Sequence, residues 1–208
     1  MTTIDHVLLA TSDLRQGEQQ LWRGYGLSCT PGGSHLRWGT ANLIVPIGGQ
    51  YLELVAVENA ELARTALLGR AVLAAADRDR LVPIGLCLAS SDLPSLAARV
   101  GQAAEPGSRT QADGSEIRWT TVGLEQAFGA TRLPFFISWA DSRQHPSSAV
   151  GQHRTSPREI SEVEVGGPED ALRQHLGGEV PGVRAVGGAP GVRSFTLRLE
   201  DGSEVQLP

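Results

Sequence analysis

Residues 4–10, IDHVLLA, form a short run that is apolar except at Asp5 and His6, and such a run before a capping segment predicts a β-strand. The next residues, Thr11-Ser12-Asp13, supply capping side chains for a helix that we expect to run to about Tyr25 and to end at Gly26. The segment TPGGS predicts a turn. After it, HLRWGTANLIVP and QYLELVAV predict two or three strands around the turn IGG. The chain therefore begins as a strand, a helix and a run of antiparallel strands.

The same order of elements returns later in the chain. PIGLCLASSDL at residues 83–93 repeats IDHVLLATSDL at residues 4–14, EIRWTTVG repeats HLRWGTAN, and PFFISWAD stands where QYLELVAV stood. A third, weaker copy consists of the strand EISEVEVGG, the helix PEDALRQHLGG and the hairpin GVRSFTLRLEDGSEVQLP. Repeats in one order define an architecture, so we predict an α+β fold built from repeated βαβββ modules.

The boundaries of the modules follow from these blocks. We expect a first βαβββ module over residues 1–57, a helical connector over 58–81 and a second module over 82–141. A loop over 142–158 and a third, weaker βαβββ-like module over 159–208 complete the chain. All of them are expected to belong to one compact domain.

Composition and charge argue against some classes of binding partner. The net charge of -5 argues against binding to nucleic acid or to an anionic membrane, since both need clustered positive charge. No apolar run is long enough to span a membrane, and the first residues lack a basic segment typical of a signal peptide. Cys29 and Cys87 have no CxxC spacing and are expected to be reduced thiols. These features favour a cytoplasmic protein.

Three segments carry a resemblance to a known group of proteins: IDHVLLATSDL, ANLIVPIGGQYLELVAV and LPFFISWADSRQHP. With the repeats, they resemble the vicinal oxygen chelate superfamily, and within it the glyoxalase-like domain proteins of the glyoxalase, bleomycin resistance and extradiol dioxygenase type. The resemblance implies a curved mixed sheet, with helices on its outer face and a ligand or a divalent metal on its concave face. It implies either isomerase, epimerase, dioxygenase or thiol-transfer chemistry, or metal-free sequestration of small molecules.

Strand periodicity indicates which side chains face the concave side. If Val7, Leu9, Leu52 and Leu54 pack under the helix, His6 and Glu53 point to the concave side. An imidazole and a carboxylate on neighbouring strands suit a divalent ion such as Fe, Mn or Zn, and they match two ligand positions of metal-binding relatives. A bare hydrogen-bonded pair of the two side chains is the alternative interpretation.

The second module does not supply the remaining ligands, because His6 maps to Gly85, and Glu53 maps to Ile137 if YLELV is laid on FFISW. The first candidate for a third ligand is His145, in a His-Pro pair that related proteins share. His153 is the second candidate, and Glu162 overlays His6 in the third copy. His175 lies at a helix end, where a positive charge is favourable.

Two functions with a small ligand remain open, beside a structural or assembly role without one. In the first, His6, Glu53 and His145 hold a divalent metal, Glu53 shuttles a proton, and the protein is a lyase, isomerase or dioxygenase acting on a small oxygen-bearing metabolite. In the second, a metal-free binding protein holds a small molecule. In both, the ligand contacts the aromatic side chains predicted to line the concave face, namely Trp38, Tyr51, Phe135 and Trp139. The resemblance also implies pairing between chains, and hence a homodimer.

Overall fold

Eight strands close into a barrel, and four more form a separate sheet. The computed structural model describes residues 1–77, 79–110 and 115–208. The barrel strands are β1 (Thr2–Ala10), β2 (Thr30–His35), β3 (Thr40–Ile47), β4 (Gln50–Val57), β5 (Val82–Ser90), β6 (Glu105–Thr110), β7 (Glu116–Val122) and β8 (Phe135–Trp139). The separate sheet contains β9 (Pro157–Gly166), β10 (Val183–Val186), β11 (Gly191–Leu199) and β12 (Glu204–Leu207).

Helices connect these strands. They are α1 (Leu14–Tyr25), α2 (Ala60–Thr65), α3 (Leu67–Ala75), α4 (Leu93–Val100), α5 (Leu124–Phe128) and α6 (Glu169–Leu176), with short 3-10 helices at Ser142–Gln144 and Pro146–Ser148. Asp13 caps α1 by accepting a hydrogen bond from the Gln16 N–H, and Gly26 ends the helix at a φ of 68°. None of the helices in the described ranges is long and apolar enough to cross a membrane.

Modules one and two form the barrel together. Its strand order is β1-β4-β3-β2-β6-β7-β8-β5. In each module the first strand runs parallel to the fourth, as β1 does to β4 and β5 to β8. The modules meet where β1 pairs antiparallel with β5 and where β2 pairs with β6. The predicted α+β fold, with repeated βαβββ modules in a curved mixed sheet, is confirmed.

Side-chain alternation divides the apolar residues into two cores. Val7, Leu9, Leu52 and Leu54 belong to a core outside the barrel. That core also takes residues from α1, α4 and the separate sheet, so helices cover the outer face. Leu8, Val55, Cys87, Phe135 and other residues form the second core, inside the barrel. The alternation expected for β1 and β4 is therefore present.

The last part of the chain differs from the first two modules in its strand order. It runs strand, helix and three strands, but its sheet has the order β10-β9-β11-β12. The first strand β9 thus lies between β10 and β11, whereas β1 is paired with β4 and β5. Contacts join β11 to β5 of the barrel. The separate sheet therefore packs on the barrel without extending it.

We predicted a turn at the glycine-rich segment TPGGS, but this segment forms most of β2. Its glycines let β2 approach β3 closely, because a Cβ added at Gly32 would overlap the Asn42 side chain. The expected strand start at HLRW is also wrong: His35 ends β2, and Trp38 lies in the turn before β3. Gly39 closes that turn at a φ of 65°. The strand β6 and the helix α5 were not predicted.

Candidate functional site

The barrel encloses a cavity of about 40 Å³. Roughly 10–15 Å³ of such volume holds one water molecule, so the space suits a small ligand group. Six of the seven side chains predicted for the site line this cavity: His6, Trp38, Tyr51, Glu53, Phe135 and Trp139. Further polar side chains that line it are His35, Asn42 and Arg109.

A bulge in β1 buries two successive polar side chains. Across β5, Ile4 pairs with Leu88 and His6 with Cys87, and Asp5 has no partner in the ladder. Asp5 and His6 are both almost fully buried, although alternation would place them on opposite faces. The bulge brings Asp5 Oδ1 to 2.6 Å from His6 Nδ1.

Asp5 accepts hydrogen bonds from three side chains. Beside the contact with His6, its Oδ2 accepts from Trp139 Nε1 at 3.0 Å and lies 3.2 Å from His145 Nε2. Burial raises the pKa of Asp5, but the hydrogen bonds and charges of His145 and His6 outweigh burial and hold this pKa well below its usual value. Asp5 is therefore an ionised carboxylate that fixes the orientation of three rings.

His6 is directed at Glu53. Because its Nδ1 faces Asp5, its Nε2 is left for the cavity, where Glu53 Oε2 lies 3.4 Å away. Tyr51 pairs with His6 in the β1–β4 ladder and stacks on its imidazole, with ring centroids 4.4 Å apart. Burial, reinforced by the charges of Asp5 and Glu53, raises the pKa of Tyr51 well above its usual value, so the phenol stays protonated.

The other oxygen of Glu53 is held by β3 and β2. Asn42 Nδ2 donates to Glu53 Oε1 at 2.6 Å, and His35 Nε2 lies 3.6 Å from the same oxygen. His35 Nδ1 contacts Thr40 Oγ1 at 3.1 Å. Burial lowers the pKa of His35 against the opposing charge of Glu53, so this imidazole is neutral at pH 7. Glu53 thus has one fixed oxygen and one that faces His6.

Cys87 lies across the β1–β5 ladder from His6. Within the described ranges, Asp5, His6 and Cys87 form a group of possible metal ligands whose donor atoms all lie within 4.8 Å of one another. Burial and the charges of Asp5 and Glu53 raise the pKa of the Cys87 thiol well above its usual value. Without a cation beside it, Cys87 is therefore a protonated thiol.

A sequence profile of the family described as "Glyoxalase-like domain" matches residues 4–179. This chain belongs to that glyoxalase-like domain family. The match spans both barrel modules, β9 and all of α6, so the predicted membership in the vicinal oxygen chelate group is confirmed. No protein of curated function matches the sequence significantly.

A solved structure shares the fold over the whole chain, and others match part of it. A hypothetical protein from Staphylococcus aureus is 15% identical and superposes with a TM-score of 0.71, over 100% of this chain and 99% of its own. A methylmalonyl-CoA epimerase variant from Streptomyces coelicolor, in complex with 2-nitronate-propionyl-CoA, is 18% identical with a TM-score of 0.47, over 68% and 97%. The Mycobacterium tuberculosis methylmalonyl-CoA epimerase is 16% identical with a TM-score of 0.41, over 66% and 86%. At 15% identity, the likeness to the Staphylococcus aureus protein shows the fold alone.

The remaining predicted ligands lie outside the cavity of this glyoxalase-like barrel. His145 faces Asp5, and its Nδ1 contacts the Ser147 N–H at 3.2 Å. His153 uses both nitrogens outside the site, since Nδ1 accepts from the Ser28 N–H at 3.0 Å and Nε2 lies 2.8 Å from the Pro46 carbonyl. Glu162, in β9, is exposed and pairs with Arg184. The role of His145 as a metal ligand stays a prediction.

The residue mapping between the modules also needs correction. The register pairs Leu8 with Glu53 in the first module and Cys87 with Phe135 in the second. Since Leu8 and Cys87 are equivalent in the repeat, Phe135 and not Ile137 stands in the place of Glu53. The mapping of His6 to Gly85 is correct. In the β1–β5 ladder His6 pairs with Cys87, and Leu8 pairs with Gly85. Because Leu8 and Cys87 are equivalent in the repeat, their partners Gly85 and His6 are equivalent too.

Four polar residues of the site were missed in the sequence: Asp5, His35, Asn42 and Arg109. Alternation places Asp5 on the outer face, and only the bulge reverses this. His35 and Asn42 flank a segment whose strand boundaries we predicted incorrectly, and Arg109 lies on the unpredicted strand β6. The IDHV motif itself was the one signal that pointed at Asp5.

Proposed function

We propose that the protein is a metal-dependent enzyme that isomerises or cleaves a small oxygen-bearing metabolite in the barrel cavity. The observation that carries the proposal is the 3.4 Å approach of His6 Nε2 to Glu53 Oε2 inside a cavity with aromatic walls. A nitrogen and an oxygen at this separation can bind one ion after a small adjustment, because each ligand lies about 2.0–2.2 Å from a bound zinc.

The donor set fits a divalent ion. A neutral imidazole whose other nitrogen donates to a carboxylate is the common arrangement behind a metal ligand, and Asp5 gives His6 that arrangement. His35 Nε2, 3.6 Å from Glu53, is the nearest further imidazole to that carboxylate. Two imidazoles and one carboxylate are a ligand set that iron and zinc enzymes use. We therefore assign His6 and Glu53 as ligands and place His35 ahead of His145 as the third.

Asp5 is less suited to direct coordination than to orientation. Its two oxygens already accept from His6, Trp139 and His145. An ion bound between Asp5 and Cys87 would have to displace the His6 hydrogen bond and deprotonate a thiol whose pKa is raised by burial. The Asp5–His6–Cys87 group is thus the competing metal position, and the variants below separate the two.

When bound, a divalent ion would polarise a substrate carbonyl or alkoxide oxygen as a Lewis acid. The chain's own residues would transfer the proton, donate a hydrogen bond and exclude water. Asn42 holds Glu53 Oε1, so Oε2, which faces His6, would hold the ion, and Glu53 would take a proton from the substrate carbon and return it only while Oε2 is not bound to the ion. Tyr51, protonated and beside His6, offers a hydrogen-bond donor, and the walls formed by Trp119, Phe135 and Trp139 exclude water.

Metal analysis of freshly purified protein that has never met a chelator tests the proposal. We expect near-stoichiometric metal in the wild type, and its loss in His6→Ala and Glu53→Gln. Cys87→Ser should retain it if the ion lies on the Glu53 side. Glu162→Gln, at an exposed carboxylate, is the matched control and should retain it too. Metal-free wild-type protein that does not take up Fe, Mn or Zn would sink the assignment.

A metal-free binding protein is the second candidate. The observation that favours it is the apolar second half of the cavity wall, where Cys87, Phe135 and Ile137 belong to the inner core. This candidate predicts quenching of tryptophan fluorescence by a bound small molecule, with no sensitivity to chelator. The homodimer and the cytoplasmic location stay predictions, and neither enters the proposal.

A further inference from the structure

A buried arginine lies in the cavity, and no carboxylate of the described residues pairs with it. Arg109 is only 6% exposed. It pairs across the β6–β7 ladder with Ile117 of the inner core, which places its side chain on the inner side of the barrel. Gly33 makes room for it, since a Cβ there would press on the Arg109 side-chain carbons at 3.1 Å.

The protein gives this guanidinium little compensation. Among residues 1–77, 79–110 and 115–208, its one hydrogen bond goes from Nη1 to Asn42 Oδ1 at 3.3 Å, and no acidic oxygen lies within 4.0 Å. A guanidinium carries five N–H donors and stays charged at any physiological pH. Burying such a group without a paired anion is costly. A charge kept at this cost points to an anion that arrives from outside the chain.

The surroundings define the kind of anion. Asn42 joins Arg109 to the proposed catalytic carboxylate, because its Oδ1 accepts from Arg109 while its Nδ2 donates to Glu53. An anion on Arg109 is therefore close to the proton-shuttling group without touching it. Glu53 already places one carboxylate in the cavity beside the single guanidinium, which disfavours a doubly charged phosphate and favours a singly charged planar group. A carboxylate matches the fork of a guanidinium.

A path to Arg109 is present at the surface. Arg109 also borders a depression lined by Arg143, His145 and Pro146, at the end of the barrel that the two 3-10 helices cover. Pro146 and Arg109 line both this depression and the inner cavity. The guanidinium thus lies between the entrance and the interior, where it can receive an incoming anion.

We propose that Arg109 is the carboxylate receptor of the site, and that the substrate is a small 2-oxo or 2-hydroxy carboxylate. Its carboxylate would pair with Arg109, while the neighbouring oxygen and carbon reach Glu53. The inference rests on the proposed function, because it assigns a substrate class to the same cavity. It does not depend on the metal, since the pairing needs only the guanidinium.

The test compares pyruvate with pyruvamide, which has the same shape and no charge. Binding to chelator-treated protein is followed by tryptophan fluorescence, because Trp38, Trp119 and Trp139 line the cavity. We expect wild type to bind pyruvate more tightly than pyruvamide, and Arg109→Gln to lose roughly tenfold to a hundredfold in pyruvate affinity. Arg118→Gln, at an exposed arginine of the neighbouring strand, is the matched control and should bind as wild type does.

Three results would each contradict the assignment of Arg109 as the carboxylate receptor. They are equal affinities for the two probes, unchanged pyruvate affinity in Arg109→Gln, and no binding of pyruvate by wild type. The outcome is separate from that of the metal analysis. Arg109-dependent binding in a protein that takes up no metal would keep the receptor and remove the enzyme proposal. Stoichiometric metal without Arg109-dependent binding would do the reverse.

A second measurement excludes a role in folding. Arg109→Met removes a buried charge that no acidic side chain of residues 1–77, 79–110 and 115–208 pairs with, so the Tm of the ligand-free variant should equal or exceed that of wild type. A marked fall in Tm would show that the guanidinium stabilises the fold, and would count against a receptor kept for a ligand.

Discussion

Modules one and two have the same backbone fold, but they differ in the side chains that line the cavity. Module one contributes His6, Tyr51 and Glu53 from β1 and β4, and module two contributes an apolar wall from β5 and β8. The connection between the third and fourth strands explains part of the difference. A tight turn at Gly48 and Gly49 joins β3 to β4, whereas α5 is inserted between β7 and β8.

The inserted helix takes the place of a second histidine. A Cβ added at Gly85, the position equivalent to His6, would lie 3.3 Å from the ring of Phe128 at the end of α5. Phe128 in turn packs on Phe135, the residue that replaces Glu53. The βαβββ scaffold therefore tolerates either a polar or an aromatic filling, and the proposed metal ligands lie in the first half.

The largest expected effect distinguishes Phe135, in the apolar wall of the cavity, from Glu53, a proposed metal ligand. Phe135→Ala should lower the free energy of unfolding by about 3–5 kcal/mol, because it opens a cavity in the inner core. Metal content should stay as in wild type. Glu53→Gln should do the opposite, losing metal with a smaller change in stability. Urea unfolding with metal analysis of both variants checks the pair, and metal loss in Phe135→Ala would contradict a metal site confined to module one.

Asp5→Ala probes the point where the halves are joined by polar contacts. Asp5 of module one accepts from Trp139 of module two and from His145 beyond it. Its removal leaves buried donors unpaired, so stability should fall by roughly 3 kcal/mol in urea unfolding. Glu162→Ala, at an exposed carboxylate, should stay within about 0.5 kcal/mol of wild type. Equal effects of the two substitutions would show that the Asp5 contacts are weak.

Gly32→Ala tests the close approach of β2 to β3 in the first module. The added methyl group would overlap Asn42, so we expect a loss of about 1–3 kcal/mol and a displaced Glu53. Gly24→Ala is the matched control, because it lies in α1 with open space around it and should stabilise by about 0.5–1 kcal/mol. Thermal unfolding of both variants decides, and a neutral Gly32→Ala would refute the close packing.

The smallest effect concerns the contact between barrel and separate sheet. His175 of α6 was predicted as a favourable charge at a helix end, but it is buried and its Nε2 donates to the Pro134 carbonyl at 2.6 Å. Burial lowers its pKa, against the effect of that hydrogen bond. The unfolded state therefore binds the proton more readily, and the stability from neutral His175 is complete above about pH 6.5 and falls as the pH drops.

His175→Gln should flatten this dependence. Unfolding free energies of wild type and variant, measured from about pH 7.5 to about pH 5.5, give the difference that belongs to His175. Parallel curves for the two proteins would mean that His175 does not contribute to the acid sensitivity.

The sequence predicted the features that depend on local rules. Alternation gave the correct faces of His6 and Glu53, and capping residues such as Asp13 and Gly26 gave the helix ends. It could not show the bulge that turns Asp5 inward, because a bulge depends on pairing with β5. Arg109 was missed for a similar reason, since β6 is polar and rich in turn-forming residues and becomes a strand only beside β7.

The most direct test of the central claim is the position of the ion. Crystals grown with Mn or Zn and measured for anomalous scattering should show a peak about 2.0–2.2 Å from both His6 Nε2 and Glu53, on the first module's side of the cavity. A peak between Asp5 and Cys87, or no peak within the barrel, would contradict the assignment of the chemistry to His6 and Glu53.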